Sequence, residues 1–301
     1  MTTADNTWLA AQFESHRSHL RAVAYRMLGS VAEAEDAVQD AWLRLNRSDS
    51  AAIENMGAWL TTVVARLALD MLRARNARRE ELMSEHFPDP IVTAAETPDA
   101  VDPEEQVLLA DSIGLAMLVV LESLSPAERL AFVLHDTFGL PFNEIAPIVD
   151  RSPTSTRQLA SRARRRVRRA APPSDTPRAR QRELVEAFQA ASRDGDFEAL
   201  LRVLDPDVVI RAHVGTAASV FGQRREVRGA DAVARQALAF RALAPGARPA
   251  TVNGTAGGVV FTDGRPFAVL GFTFANDRIT EIDILAEPHR LAWLDLSAVV
   301  P

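Results

Sequence analysis

The spacing of apolar residues changes kind once along this chain, and that change limits what it can fold into. As far as Arg169 the apolar positions recur at helical steps. Leu9, Phe13, Leu20, Val23 and Met27 form one stripe with His16 in it, and Ala34, Val38, Ala41, Trp42 and Leu45 form the next. Beyond Arg178 short extended runs take over at 208–210, 258–261, 267–274 and 279–285, among helical stretches at 178–193, 197–204 and 230–243. Asp263-Gly264 and Asn276-Asp277 supply turns between the runs. The pattern predicts two all-α domains followed by an α+β domain with a curved antiparallel sheet.

Prolines mark the breaks. Pro88, Pro90, Pro98 and Pro103 fall where periodicity is lost, and 170–177 is a second Pro- and Ser-rich stretch. The boundaries drawn are 1–80, a linker 81–103, 104–170, and 178–301. Within the helical part, Ser30 with Glu33 and Ser125-Pro126 with Glu128 read as capping boxes. A long helix is predicted from Met56 to about Arg79. Another covers 104–124, and a third runs from Pro126 to about Phe138. A short helix over 142–149, a turn at Asp150-Arg151 and a capped helix from Pro153 to about Arg169 make a helix-turn-helix, with Pro147 expected to shorten its first member.

Charge is distributed unevenly. The net charge of −6 argues against a protein that coats nucleic acid by bulk electrostatics. Yet between Arg151 and Arg182 lie Arg157, Arg162, Arg164, Arg165, Arg166, Arg168, Arg169, Arg178 and Arg180, opposed only by Asp175. The second helix carries the opposite sign, with Glu33, Glu35, Asp36 and Asp40 in its first turns. There is no cysteine and the six histidines are scattered, so no metal site and no cofactor are expected; His16 and His19, three apart, lack further ligands. No membrane span or secretory leader is read, and a cytoplasmic location is expected.

On a recognition helix, arginine pairs bidentately with guanine and glutamine with adenine, so Arg157 and Gln158 are assigned to base reading. Ser155, Arg162, Arg164 and Arg165 are expected to contact DNA beside them, the arginines suiting phosphates. The motif Ala34-Glu35-Asp36-Ala37-Val38-Gln39-Asp40-Ala41-Trp42-Leu43-Arg44-Leu45 resembles region 2 of the extracytoplasmic-function (ECF) sigma factors. Pro141-Phe142-Asn143-Glu144-Ile145-Ala146, with Ser152-Pro153 and Arg157-Gln158-Leu159-Ala160-Ser161-Arg162-Ala163-Arg164, resembles their region 4.

The resemblance implies a factor that binds core RNA polymerase and directs initiation at promoters with −10 and −35 elements, and that is not an enzyme. It implies docking of Asp36, Gln39 and Asp40 on the β′ clamp helices, with the β flap as a further contact. Asn76, Arg78 and Arg79 would hold the −10 element, and the helix-turn-helix the −35 element. Trp42 and Trp59 fall on apolar stripes, which favours packing over base stacking.

The last domain resembles the SnoaL-like, NTF2-like extension carried by certain ECF sigma factors. There a linker motif and a late motif are tied to regulation. Here Phe87-Pro88-Asp89-Pro90 corresponds to the first and Glu287-Pro288-His289-Arg290-Leu291 to the second, so Phe87, Pro88, Asp89, Pro90, Pro288 and Leu291 are expected in regulatory contacts. A motif near His213-Val214-Gly215-Thr216-Ala217 departs from the family pattern. Asp205, Asp207, His213, Glu281 and Asp283 could titrate in this domain, but a small-molecule sensor without chemistry fits better than an enzyme, since Glu281 and Asp283 read as an exposed strand face. The competing reading is an ordinary repressor or activator with a ligand-sensing domain, against which the acidic second helix speaks.

Overall fold

The computed structural model describes residues 3–49, 53–82, 87–95, 114–170, 175–214 and 226–299; of 3–6, 78–82 and 170 only the backbone is described. The chain divides into two compact units. Part of the helix expected over 104–124 lies outside the described residues, as do Gly215, Thr216 and Ala217.

The first unit, 1–88 with 102–111 and 117–171, is helical. Its first helix, α1 (Thr3–Leu28), buries Leu9, Phe13, Leu20, Val23 and Met27. The second, α2 (Val31–Leu45), buries Ala34, Val38, Ala41 and Leu45. Ser30 accepts a hydrogen bond from the Glu33 amide at 3.4 Å, which is half of a capping box. Glu33 spends its carboxylate on Arg75 instead of returning it to the Ser30 amide. The third helix, α3 (Met56–Leu82), starts from Asn55, whose side chain accepts from the Ala58 amide at 3.0 Å.

Two shorter helices follow, α4 (Leu115–Glu122) and α5 (Pro126–Phe132). Ser125 and Glu128 complete the reciprocal box at the start of α5. The expected run to Phe138 continues not as α-helix but as a π-helical turn, Val133–Thr137. Next comes α6 (Phe142–Ile145), which stops short of Pro147, as a ring that removes a donor and crowds the preceding turn requires. Asp150, at φ +54, turns the chain into α7 (Pro153–Ala170), capped by the Ser152 hydroxyl on the Ser155 amide at 3.2 Å.

These helices share one core. Arg129, 2% exposed, donates from Nε to the Arg26 carbonyl at 3.2 Å and from Nη1 to Glu122 at 2.5 Å. The Arg26 guanidinium lies 4.7 Å from the Phe138 ring centre, and His19 meets the same ring edge-on at 5.2 Å. The helices of 1–82 are therefore packed on those of 117–170 within a single unit, whereas the sequence suggests two modules kept apart by a linker.

The second unit, 89–101 with 112–116 and 172–301, is α+β. Its helices are α8 (Arg178–Asp194), α9 (Phe197–Val203), α10 (Ala230–Ala239) and a late turn, α11 (Pro288–Leu291), with a 3₁₀ segment at Arg241–Gly246. A seven-stranded sheet has the order β1-β4-β5-β6-β7-β2-β3. The strands are β1 (Val92–Ala94), β2 (Leu204–His213), β3 (Glu226–Arg228), β4 (Ala247–Val252), β5 (Thr255–Thr262), β6 (Arg265–Ala275) and β7 (Arg278–Leu285).

The expected antiparallel sheet is in fact mixed, because β2 runs parallel to β7. Asp263-Gly264 (φ +51, +73) and Asn276-Asp277 (φ +57 at the second) make the hairpin turns with both residues left-handed. Asn253-Gly254 makes a third. Phe188, Leu200, Leu204, Val208, Phe272, Phe274 and Ile279 centre the main core cluster of this unit. The linker also departs from expectation: β1, inside the Pro-rich stretch, is an edge strand paired antiparallel with β4 from Val92↔Val252 to Ala94↔Ala250.

Candidate polymerase and nucleic-acid interfaces

Burial of one side of α2 fixes what the other side offers. With Ala34, Ala37, Val38 and Ala41 inside, Asp36, Gln39 and Asp40 are exposed together, at three- and four-residue steps. Leu43, 44% exposed, continues the stripe by one turn. Sequence reasoning passed over Leu43, although an apolar residue one step off the buried stripe is the available signal. Glu35 does not belong to the free face, being tied to Arg17. Trp42 packs on Phe13, ring centres 5.1 Å apart, and Trp59 is half-buried on α3.

At the far end of α3, Asn76 is half-buried, while the side chains of Arg78 and Arg79 lie outside the described residues.

The helix-turn-helix presents a graded surface. Ala160, Ala163 and Val167 anchor α7, which leaves Arg157, Gln158, Arg162 and Arg165 exposed. Arg157 lies 5.4 Å from the Phe142 ring centre, and Phe142 stacks on His135 at 3.8 Å, so the Arg157 guanidinium rests on a stacked aromatic pair. Ser155 is half-buried and accepts a bond from the Ser152 hydroxyl at 3.0 Å. Arg164 differs from its neighbours, because its Nε donates to Asp136 at 2.6 Å. Arg166 sits 3.5 Å from Glu128. Of the four arginines expected at DNA, Arg157, Arg162 and Arg165 are exposed, as are Arg168 and Arg169 further along α7.

In the second unit the two motifs set about 200 residues apart in sequence meet. Arg290, on α11, donates from Nε to Asp89 Oδ1 at 3.1 Å, with Nη2 on the same oxygen. Next to this pair the Ile91 amide donates to Asn253 Oδ1 at 3.1 Å, and the Asn253 amide returns a bond to the Ile91 carbonyl at 2.8 Å. Pro90 and Leu291 are buried and Pro288 is exposed; Phe87 and Pro88 are buried in the first unit.

Among the described residues, Asp205, Asp207, His213, Glu281 and Asp283 do not line the pocket between α8, α10 and the sheet. Asp205 accepts from the Asp207 amide at 2.9 Å, a local turn that interrupts β2. Glu281 receives both Nη atoms of Arg211, at 3.2 and 3.0 Å. Asp283, read from the sequence as exposed, is only 2% exposed and lies 3.5 Å from Arg211. Burial, together with nearby Glu281, pushes its carboxyl up to about 7 against the opposing pull of Arg211. Among the described residues no group of three His, Asp or Glu side chains is arranged to hold a metal ion, and no helix is long and apolar enough to cross a membrane.

Family models place this geometry. Sigma-70 region 2 matches residues 12–78 and sigma-70 region 4 matches 115–167. The ECF RNA polymerase sigma factor SigJ of Mycobacterium tuberculosis is 42% identical over 282 residues, spanning 91% of this chain and 87% of SigJ. The chain belongs to the ECF sigma factors.

A second Mycobacterium tuberculosis relative, described as "Probable ECF RNA polymerase sigma factor SigI", is 35% identical over 94% of each chain. The crystal structure of SigJ superposes with a TM-score of 0.75 at 36% identity, covering 95% of this chain and 99% of that one. Since that coverage includes the α+β unit, the third domain of this ECF sigma factor is the SnoaL-like extension. As an ECF sigma factor the protein binds core RNA polymerase and directs promoter-specific initiation, region 2 lying in α1–α3 and region 4 in α4–α7.

Proposed function

We propose that the exposed stripe Asp36, Gln39 and Asp40 is the docking face for the β′ clamp helices, with region 4 meeting the β flap. The end of α3, with Asn76, Arg78 and Arg79, holds the −10 element. Arg157 and Gln158 read the −35 element from the major groove, Arg162 and Arg165 grip phosphates beside them, and Ser155 lies at the same helix end. Arg164 joins them only on leaving Asp136. In support of this reading, Arg157 and Gln158 stand exposed in the second turn of the second helix of the helix-turn-helix, in the N-terminal half from which such helices reach base edges.

The protein carries out no covalent step of its own. Its extension modulates initiation by holding the linker, through Asp89 with Arg290 and the pairing of β1 with β4.

Run-off transcription with core enzyme tests the assignment. One good bidentate base contact is worth about 1–3 kcal/mol. Ala at Arg157 and Gln158 is therefore expected to cut transcription from a −35-dependent promoter by at least about tenfold while leaving core binding intact. Ala at Asp36 and Asp40 is expected to weaken core binding itself. If both double variants transcribe and assemble as the wild type does, the residue roles are wrong.

A further inference from the structure

The α+β unit contains a cavity of about 110 Å³ between α8, α10, the 3₁₀ segment and one face of the sheet. Protein interiors seldom leave voids larger than a water molecule, so a hollow of this size needs a cause. Here the cause is side-chain size: Ala237, Ala244, Ala247 and Ala268 line it where larger residues would close it. Gly258 adds to the space, since a Cβ there would come within 2.8 Å of the Gln189 amide nitrogen.

Among the described residues the lining has no titratable side chain; Gln189, Ser192 and Gln236 are its polar members. Ser192 is already committed, donating to the Phe188 carbonyl at 2.7 Å. The two glutamine amides are therefore the groups available to orient an occupant. Strand alternation accounts for the neutrality. Ile282 and Ile284 of β7 enter the cavity, which sends Glu281 and Asp283 to the opposite face of the sheet. Acid-base chemistry and charge recognition are both lacking on the cavity side, while a dry apolar cavity of comparable size suits a ring-sized apolar guest.

We propose that this cavity is a binding site for a small neutral apolar molecule, one ring or a short branched chain in size, held by shape and oriented by the amides of Gln189 and Gln236. The site binds without reacting, and it discriminates against anions because nothing in its wall compensates a charge taken out of water.

Fluorine NMR of the full-length protein with trifluorotoluene as the neutral probe tests this. Saturable line broadening is expected. It should be reversed by p-cresol, and benzoate, of similar size but charged, should need at least tenfold more. Ala237→Phe, which fills the cavity from α10, should weaken probe binding at least tenfold. Ala244→Phe gives the same readout from the 3₁₀ segment should the first variant lose its circular dichroism. Gln189→Leu should keep the probe while removing the advantage of p-cresol over toluene. Absence of saturable binding, equal displacement by benzoate, or undiminished binding in the folded filled variants would overturn the proposal.

Discussion

Arg129 shows how one side chain can tie distant parts of a helical unit together. It is 2% exposed, and its burial lowers its proton affinity against the opposing pull of Glu122. A buried cation is tolerable only while its partners hold, and removing one member of such a pair costs about 3–5 kcal/mol. Glu122→Ala is therefore expected to destabilise the helical unit by about that amount in denaturant melts, and the double change Glu122→Leu with Arg129→Met, which leaves neither charge unpaired, by clearly less. Equal losses would mean that packing, not charge, dominates the site. Asp283 makes the stability of its unit depend on pH. Its folded value of about 7 lies above the ordinary one of 3.8, so the folded state holds the proton more tightly. Its contribution is favourable below about pH 4, is lost as pH rises from 4 to 7, and is flat beyond, a swing on the order of 4 kcal/mol. Asp283→Asn should flatten the pH dependence of melting of the α+β unit in that window; an unchanged slope would show that the carboxyl is not buried in solution.

At the scale of elements, the linker strand is the piece most open to test. Its backbone lies on β4, and the ion pair of Asp89 with Arg290 at its start is mostly shielded from solvent. Arg290→Ala is expected to weaken the attachment by about 1–2 kcal/mol, seen as a 5- to 30-fold loss of hydrogen-exchange protection over Val92–Ala94. Arg290→Lys should retain part of it. Little in the residues announced this strand, because three residues in a Pro-rich stretch carry no period of their own. Its partner β4 was equally hidden, with Pro249 inside it and no clean alternation, although Asn253-Gly254 is a strong turn signal. The helices and the strands β5, β6 and β7 were legible because each has a buried face long enough to impose its period. The polar roles were legible by type and not by state. Sequence separates Arg157 from Arg164 by nothing but position, whereas Asp136, 28 residues before Arg164, occupies only the latter.

For the whole molecule, the order of the two sigma regions could be read from motifs, but their packing into one unit could not. The contacts that close it, such as Arg129 on the Arg26 carbonyl, join residues 103 apart and leave no periodic trace. That packing has a consequence for promoter binding. The −10 and −35 elements are about 25 base steps apart, roughly 85 Å at about 3.4 Å per step. A compact unit of about 150 residues is only roughly 40 Å across on the usual scaling of radius with length. Region 2 and region 4 are therefore expected to part from the contacts that Arg129, Glu122 and Arg75 make, with core polymerase binding the separated form better than the packed one. The chain has no cysteine, which makes paired labelling direct. Dyes on Arg47→Cys and Glu144→Cys, both at exposed positions, should transfer energy efficiently in the free protein and much less once core enzyme is added. Weakening the clasp with Glu122→Ala should lower the transfer before any polymerase is present. Transfer that stays high in a transcribing holoenzyme would show that the two regions reach promoter DNA without parting.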